Sequence, residues 1–230
     1  MRIQTWGCVF VLAVAMASAF GAKVDSTYLQ PITAERSYST AVNWLNMKPA
    51  SGGGTLSFVN QTASCKANFK LDAKEDVVLG GVDFGPGGFR ISGNTLTLSG
   101  DGVIRSDNTV GTGFSNHLII PEGSTMTKRG KGKVTIEYGF SGAGKLVVAE
   151  GTVVSADGEH FMAEGDIDIR TGHVSWYEPR TTGDVSLGCG NVSYGPDRAK
   201  IVVTKGKVTS YVATMKSLGI VAKLGMESCV

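Results

Sequence analysis

The stretch Ser124–Ser155, STMTKRGKGKVTIEYGFSGAGKLVVAEGTVVS, predicts the fold. It contains three β-prone runs that are separated by glycine-bearing turns: Lys133–Tyr138, Lys145–Val148 and Thr152–Ser155. In the first run Val134 and Ile136 alternate with polar residues, which is the period of a strand with one buried and one exposed face. Each run is too short to bury its own apolar face, so the unit must stack on similar units, as in a solenoid.

Similar short runs occur on both sides of this stretch, from Thr55–Val59 to Lys200–Thr204, at the close spacing of an all-β chain. Such a chain could form a sandwich, a barrel or a β-helix. Short strands and turns built on single glycines favour the β-helix, because sandwich hairpins prefer Asn-Gly or Asp-Gly turns. We therefore predict a single-stranded, right-handed parallel β-helix over residues 51–205, with about twenty to twenty-five residues per coil.

The central stretch also resembles the autotransporter-associated β-strand repeat, which pairs an apolar-x-Lys-x-Gly-x-Gly-x-apolar-x-apolar strand with a Gly-Thr-apolar strand. The matching residues are Lys128, Gly130, Gly132, Val134, Ile136, Gly151, Thr152 and Val153. The Asn and Tyr usual in the intervening loop are missing, and this loop is shortened to 138–144. Upstream, the order of the entry region of such proteins is followed by Asn43–Trp44, Gly52–Phe58, Leu79–Phe84 and Ile91–Gly100. The resemblance covers about Asn43 to Val154 and implies a β-helical passenger used for display or adhesion, with a structural role for these motif residues.

The N-terminus is typical of a signal peptide. Arg2 precedes the apolar run Val9–Ala17, and small residues before Phe20 and Lys23 suit cleavage. The run is too short to span a bilayer stably. We therefore expect a signal peptide at 1–22, a secreted or cell-surface protein, and no stable membrane span after cleavage.

Two segments flank the predicted β-helix. An open stack of strands needs a cap, because its terminal edge would otherwise pair with other chains. We assign this role to residues 23–50, within which Glu35–Asn46 suits a short helix. Residues 206–230 are expected to form an irregular C-terminal tail.

The cysteines do not form a disulfide framework. Cys8 leaves with the signal peptide, and the odd number that remains (Cys65, Cys189 and Cys229) requires a free thiol or an intermolecular bridge. In a β-helix Cys65 and Cys189 lie about five or six coils apart, on the order of 25 Å along the axis. Because disulfide-bonded Cα atoms lie within about 7 Å of each other, we expect no bridge between these two.

Composition excludes two classes. The chain has 42% hydrophobic and 18% charged residues, which argues against disorder, and its 32 glycines have no collagen period. The basic residues Lys128, Arg129, Lys131 and Lys133 have no aromatic residue among them and are interrupted by glycines. We interpret this cluster as a solvated turn and expect no nucleic-acid partner.

Two patterns suggest ligands at first sight. Gly139–Lys145 matches G-x-x-x-x-G-K, but a phosphate-binding loop needs Ser or Thr next and then a helix, whereas Leu146 begins a strand-like run. No nucleotide is therefore expected.

The densest set of possible metal ligands consists of His160, Glu164, Asp166, Asp168 and His173. Its spacing matches neither H-E-x-x-H nor a calcium loop. Asp166 and Asp168 alternate with isoleucines, as in a half-buried strand. No metal, cofactor or catalytic residue is assigned.

An enzymatic interpretation remains open. Some β-helices act on polysaccharides with acidic residues from adjacent coils, and Asp166, Asp168, Arg170 and Glu178 could form such a set, although no spacing selects them. Trp176–Tyr177 could be a sugar platform or part of the core. We expect a non-catalytic exported protein whose partner is an extracellular glycan or a host or neighbouring cell surface; the alternative is a polysaccharide lyase or hydrolase.

Overall fold

The computed structural model describes residues 22–29, 36–58, 66–108, 112–155, 162–170, 173–176, 180–181, 185–187, 191–194, 202–203 and 208–210. In these ranges the chain forms short strands and two 3-10 turns, Ala41–Asn43 and Leu45–Met47. The first twelve strands are β1 (Ser26–Thr27), β2 (Arg36–Ser37), β3 (Gly54–Ser57), β4 (Lys66–Leu71), β5 (Val77–Asp83), β6 (Gly88–Gly93), β7 (Leu96–Leu98), β8 (Asp101–Arg105), β9 (Gly113–Ser115), β10 (Leu118–Ile119), β11 (Thr125–Arg129) and β12 (Lys133–Ile136). The remaining strands are β13 (Phe140–Ser141), β14 (Lys145–Val148), β15 (Thr152–Ser155), β16 (Met162–Ala163), β17 (Asp166–Ile169), β18 (His173–Trp176), β19 (Arg180–Thr181), β20 (Val185–Leu187), β21 (Asn191–Tyr194), β22 (Val202–Val203) and β23 (Val208–Ser210).

The strands stack in parallel on three faces. Face A contains β1, β3, the second half of β5, β8, β11, β14, β17, β20 and β23. Face B contains β2, β4, β6, β9, β12, β15, β18 and β21. Face C contains the first half of β5, β7, β10 and β13, and the chain returns to it in the separate three-stranded sheet β16, β19 and β22, whose β16 contacts β13.

Each coil visits the three faces once, so hydrogen-bonded partners are one coil apart. From β3 onward this separation ranges from 18 residues, between Ile169 and Leu187, to 26 residues, between Thr55 and Gly81. The predicted parallel β-helix is therefore confirmed as the architecture.

The corner between face C and face A varies in length. β5 crosses it without leaving the strand conformation, because Val77–Leu79 pairs with β7 while Val82–Asp83 pairs with β8. In the next coil two residues separate β7 from β8, and five separate β10 from β11. The strands on either side keep their pairing despite these differences.

The core consists of ladders in which one inward position repeats from coil to coil. On face B the ladder is Phe69, Ile91, Phe114 and Ile136, all buried. On face C it is Val77, Leu96, Leu118 and Phe140. Stacking one apolar residue on the next removes both from water, which compensates for strands too short to form a core alone.

The segment 23–50 contributes strands and a lid at the N-terminal end. β1 and β2 pair in parallel with β3 and β4, and the chain between the partners is longer than in any later coil, with 30 residues from Ser26 to Leu56. Trp44 lies fully buried beneath this extra length and donates its indole N–H to the carbonyl of Tyr38 at 2.8 Å. The short helix expected over Glu35–Asn46 is wrong. Two separate 3-10 turns form instead, because Asn46 and Met47 adopt left-handed φ values of 63° and 54°.

Other expectations meet the limits of the described residues. β23 extends face A into the predicted tail by pairing with β20. The signal peptide and the cysteines Cys8, Cys65, Cys189 and Cys229 lie outside the described residues. Within the described part, no helix has the length and apolar character needed to cross a membrane.

Candidate functional site

A groove of about 850 Å³ runs along the outside of face A over several coils. Its floor carries little side chain, because glycines line it on three coils: Gly53, Gly80 and Gly102. Val103 is the apolar side chain on this floor and is 38% exposed. A row of near-bare backbone bordered by side chains makes a trough that can accept an extended ligand.

Charged side chains form the walls of the groove. The basic ones are Lys23, Arg105, Arg129 and Lys131, and the acidic ones are Asp83, Asp101, Asp107 and Glu150. Equal numbers of both signs favour a ligand with many polar groups over a uniformly charged partner such as nucleic acid.

The parallel register stacks three of these charges directly. Asp83 pairs with Arg105, and Arg105 pairs with Arg129, so the three side chains occupy one outward position on consecutive coils. Arg105 also donates its Nε–H to Oδ2 of Asp107 at 3.0 Å, and this hydrogen bond raises the pKa of Arg105 further above its ordinary value. Two guanidinium groups thus stand side by side on neighbouring strands, about 4.8 Å apart along the stack.

Lys128 lies directly beneath this wall, inside the core. Its register partners, Ile104 and Val148, are buried aliphatic residues, and Lys128 is itself fully buried. The ammonium Nζ–H groups donate to the carbonyls of Arg129 at 2.7 Å, Gly130 at 2.7 Å and Glu150 at 3.3 Å. Lys128 therefore holds the turn that presents Arg129 and Lys131 to the groove.

Burial lowers the pKa of Lys128 to about 8, an effect that the nearby carboxylates of Asp107 and Glu150 partly oppose. A charged group away from water is stabilised only by its hydrogen-bond partners and by opposite charges. The three carbonyls supply that compensation here, and they belong to two successive coils.

The turns at this corner fit closely because of glycine. Gly151 has a φ of +66°, and a Cβ there would lie 2.3 Å from the carbonyl oxygen of Gly130 and 2.8 Å from Nζ of Lys128. The Gly130 N–H donates to Oε2 of Glu150 at 2.8 Å, which joins the same two coils from the other side. Only a residue without a side chain fits between the lysine and the next turn.

The structure brings the predicted repeat-motif residues together on two adjacent coils. Lys128, Gly130 and Gly151 meet at the corner just described, and Gly132 begins the return to face B. On face B, Val134 is the register partner of Val153 and Lys133 that of Thr152, while Ile136 lies in the core ladder.

The interpretation of the basic cluster as a solvated turn is wrong for Lys128. Arg129 and Lys131 are exposed, but Lys128 points inward because it lies two residues after the buried Met126 on strand β11. That alternation was visible in the sequence, and the run of positive charge obscured it.

Gly139–Lys145 forms a turn and two short strands. β13 occupies Phe140–Ser141, and Lys145 opens β14, where a phosphate-binding loop would begin a helix. The Lys145 Nζ lies 3.5 Å from Oδ2 of Asp168 on the next coil.

The carboxylates of β17 lie on face A beyond the groove. Asp166 and Asp168 alternate with the buried Ile167 and Ile169, as the pattern predicted, and Arg170 Nε lies 3.2 Å from Oδ2 of Asp168. Within the part of the chain that the structure describes, no three His, Cys, Asp or Glu side chains come close enough to hold a metal.

Several sequence candidates cannot be placed. His160, Tyr177 and Glu178 lie outside the described residues, and for His173 and Trp176 only the backbone is described. Asp166, Asp168 and Arg170 do not line the groove. The residues that do line it, such as Asp83, Arg105 and Arg129, were not expected as a site, since each belongs to a different coil and no local motif joins them.

Comparisons with protein-family models, with curated proteins and with solved structures find nothing that matches this chain.

Proposed function

We propose that the protein is an exported, non-catalytic β-solenoid that binds an extracellular glycan along face A, in the manner of a passenger-type display or adhesion protein. The groove carries this proposal. It is long and shallow, its floor consists largely of glycines, and its walls offer guanidinium donors and carboxylate acceptors on neighbouring coils.

A glycan suits this chemistry because each sugar presents several hydroxyls that both donate and accept hydrogen bonds. Arg105 and Arg129 supply planar sets of donors, and Asp83 and Asp101 supply acceptors. A chain of sugars also has the extended form of the groove. The apolar run Val9–Ala17 with its cleavage-compatible residues supports export, and the motif from Lys128 to Ile136 supports a passenger-like role.

The test is a glycan and extracellular-matrix binding screen of the purified protein, with turnover assays on the same glycans. Val103→Trp places a large side chain on the groove floor, while its position on the outer side of β8 leaves the core unchanged. We expect at least one glycan to bind and Val103→Trp to weaken that binding at least tenfold. Thr97→Trp on the outer side of face C is the matched control and should bind like the wild type.

Two results would contradict the proposal. If no glycan binds, or if both tryptophan variants bind as the wild type does, the groove is not a glycan site. Turnover of a bound glycan would instead favour the polysaccharide-active alternative, for which carboxylates on neighbouring coils such as Asp83, Asp101 and Asp107 are the relevant observation.

A further inference from the structure

We infer that the glycan bound along face A is acidic, and that the paired guanidinium groups of Arg105 and Arg129 bind a sugar carboxylate. This inference rests on the proposed glycan function and names the chemical class of the ligand.

The register of face A creates an electrostatic imbalance at this position. Arg105 and Arg129 are directly opposite each other on neighbouring parallel strands, and Lys131 follows on the same turn. Like charges that face each other across strands destabilise a sheet unless an anion lies between them. The groove therefore holds a cationic position that a bound anion would stabilise.

The nearby carboxylates are already engaged by the protein. Asp107 accepts the Nε–H of Arg105, Glu150 accepts the Gly130 N–H, and Asp83 accepts the Gly85 N–H at 2.9 Å. Among the described residues, no carboxylate lies within ion-pair distance of Arg129 or Lys131. The ligand is left to supply the anion.

The Arg129 side of the pair is held in place from below. Lys128 hydrogen-bonds the carbonyl of Arg129, and the Ser106 N–H donates to the same carbonyl at 3.2 Å. A fixed backbone limits the freedom that the guanidinium loses on binding, which favours affinity. A guanidinium fork matches the two oxygens of a carboxylate, so a uronic acid is the expected sugar.

Isothermal titration calorimetry of the full chain would test this with two oligosaccharides of one backbone: an oligogalacturonate, and the same oligomer with its carboxylates methyl-esterified. We expect the acid to bind at least tenfold more tightly than the ester and to lose most of this preference at high salt. Arg129→Gln should reduce the preference about tenfold. Arg90→Gln is the matched control, because Arg90 is an exposed arginine on face B, paired with Glu137 at 2.5 Å, and it should leave the preference unchanged.

The outcomes separate this inference from the proposed function. Equal affinity for acid and ester overturns the acidic assignment and leaves a glycan site in place, whereas failure of every glycan to bind overturns both. An equal loss in Arg90→Gln and Arg129→Gln shows attraction to the overall charge and rejects the site. A sulfated oligosaccharide that binds more tightly than the oligogalacturonate rejects the carboxylate as the recognised group.

Discussion

The N-terminal end and the middle coils of this solenoid use different means to hold the same backbone. At the N-terminal end, aromatic rings fill the core: Tyr28, Tyr38, Trp44, Phe58, Phe69, Phe84 and Phe89. Phe69 lies near the centre of this cluster, with ring centroids 5.2 Å from Phe58, 5.4 Å from Tyr28 and 5.7 Å from Trp44. These contacts are large and not periodic.

The middle coils rely on repetition. Their inward positions are aliphatic and stack in register, and the corner between faces A and B is fixed by Lys128 and by glycines that permit close approach of the backbone. The difference indicates that an end of the stack, which has no neighbour on one side, needs bulk to close it, while an internal coil needs geometric identity with its neighbours.

Removing the central ring should have the largest effect. We expect Phe69→Ala to lower the free energy of unfolding by about 4 kcal/mol, because it leaves a cavity among several rings. Phe69→Leu, which keeps most of the volume, should cost about 1.5 kcal/mol. Urea denaturation measures both, and a loss below about 1 kcal/mol for the alanine variant would mean that the aromatic end does not unfold together with the coils.

In the middle coils the sensitive feature is backbone spacing. A Cβ on Gly132 would lie 2.2 Å from the carbonyl oxygen of Asn108 on the previous coil, and backbone atoms cannot move aside independently. We therefore expect Gly132→Ala to cost about 3 kcal/mol. Gly123 is the control: a Cβ there meets nothing within 4 Å, so Gly123→Ala bears only the strain of a φ of +76°, about 1 kcal/mol. Equal losses in thermal or urea unfolding would contradict the importance of coil spacing.

The buried lysine should show an intermediate effect with a distinctive pH dependence. Lys128→Met preserves an unbranched side chain but removes the donor to three carbonyls, and we expect a loss of about 2 kcal/mol at pH 7.

The sign of the pH dependence follows from the lowered pKa. Since the pKa is about 8 in the folded protein and 10.5 in its absence, the unfolded chain binds more protons between these values. The folded protein should therefore gain stability as the pH rises from 8 to 10.5, by on the order of 3 kcal/mol relative to Lys128→Met. Parallel pH profiles of the two proteins would show that Lys128 does not titrate abnormally.

The smallest effect is expected at Lys145. Its Nζ lies 3.5 Å from Asp168 on a partly exposed surface, so Lys145→Ala should change the free energy of unfolding by no more than about 0.5 kcal/mol. Asp168→Asn should give a similarly small change. ATP binding by the wild type that disappears in Lys145→Ala would show that the loop before it does bind phosphate.

Much of the solenoid could be predicted from local patterns. The runs Lys145–Val148 and Thr152–Ser155 are strands with those bounds, because alternating β-branched residues between glycines leave few other choices. Strand β11 was missed, since Thr125–Arg129 ends in charged residues and alternation is harder to see when a lysine takes an inward position.

The groove could not be predicted in the same way. Arg105 and Arg129 belong to coils whose partner positions vary in sequence separation, so their meeting depends on turn lengths that composition does not reveal. The aromatic end was equally hidden: Tyr28, Trp44 and Phe69 meet only because the longest coil folds back over them.

The variable corner between faces C and A has a consequence for how such a chain can diverge. β5 crosses it with no loop at all, later coils cross it with two to five residues, and the strands on each side keep their register. Insertions at this corner would therefore be nearly neutral for folding, since each doubling of loop length costs only about 0.6 kcal/mol. Because Ser99–Asp101 from this corner borders the groove, small changes in loop length would alter the shape of the binding surface while leaving the scaffold intact. The solenoid separates the part of the sequence that must stay constant from the part that is free to acquire new ligands.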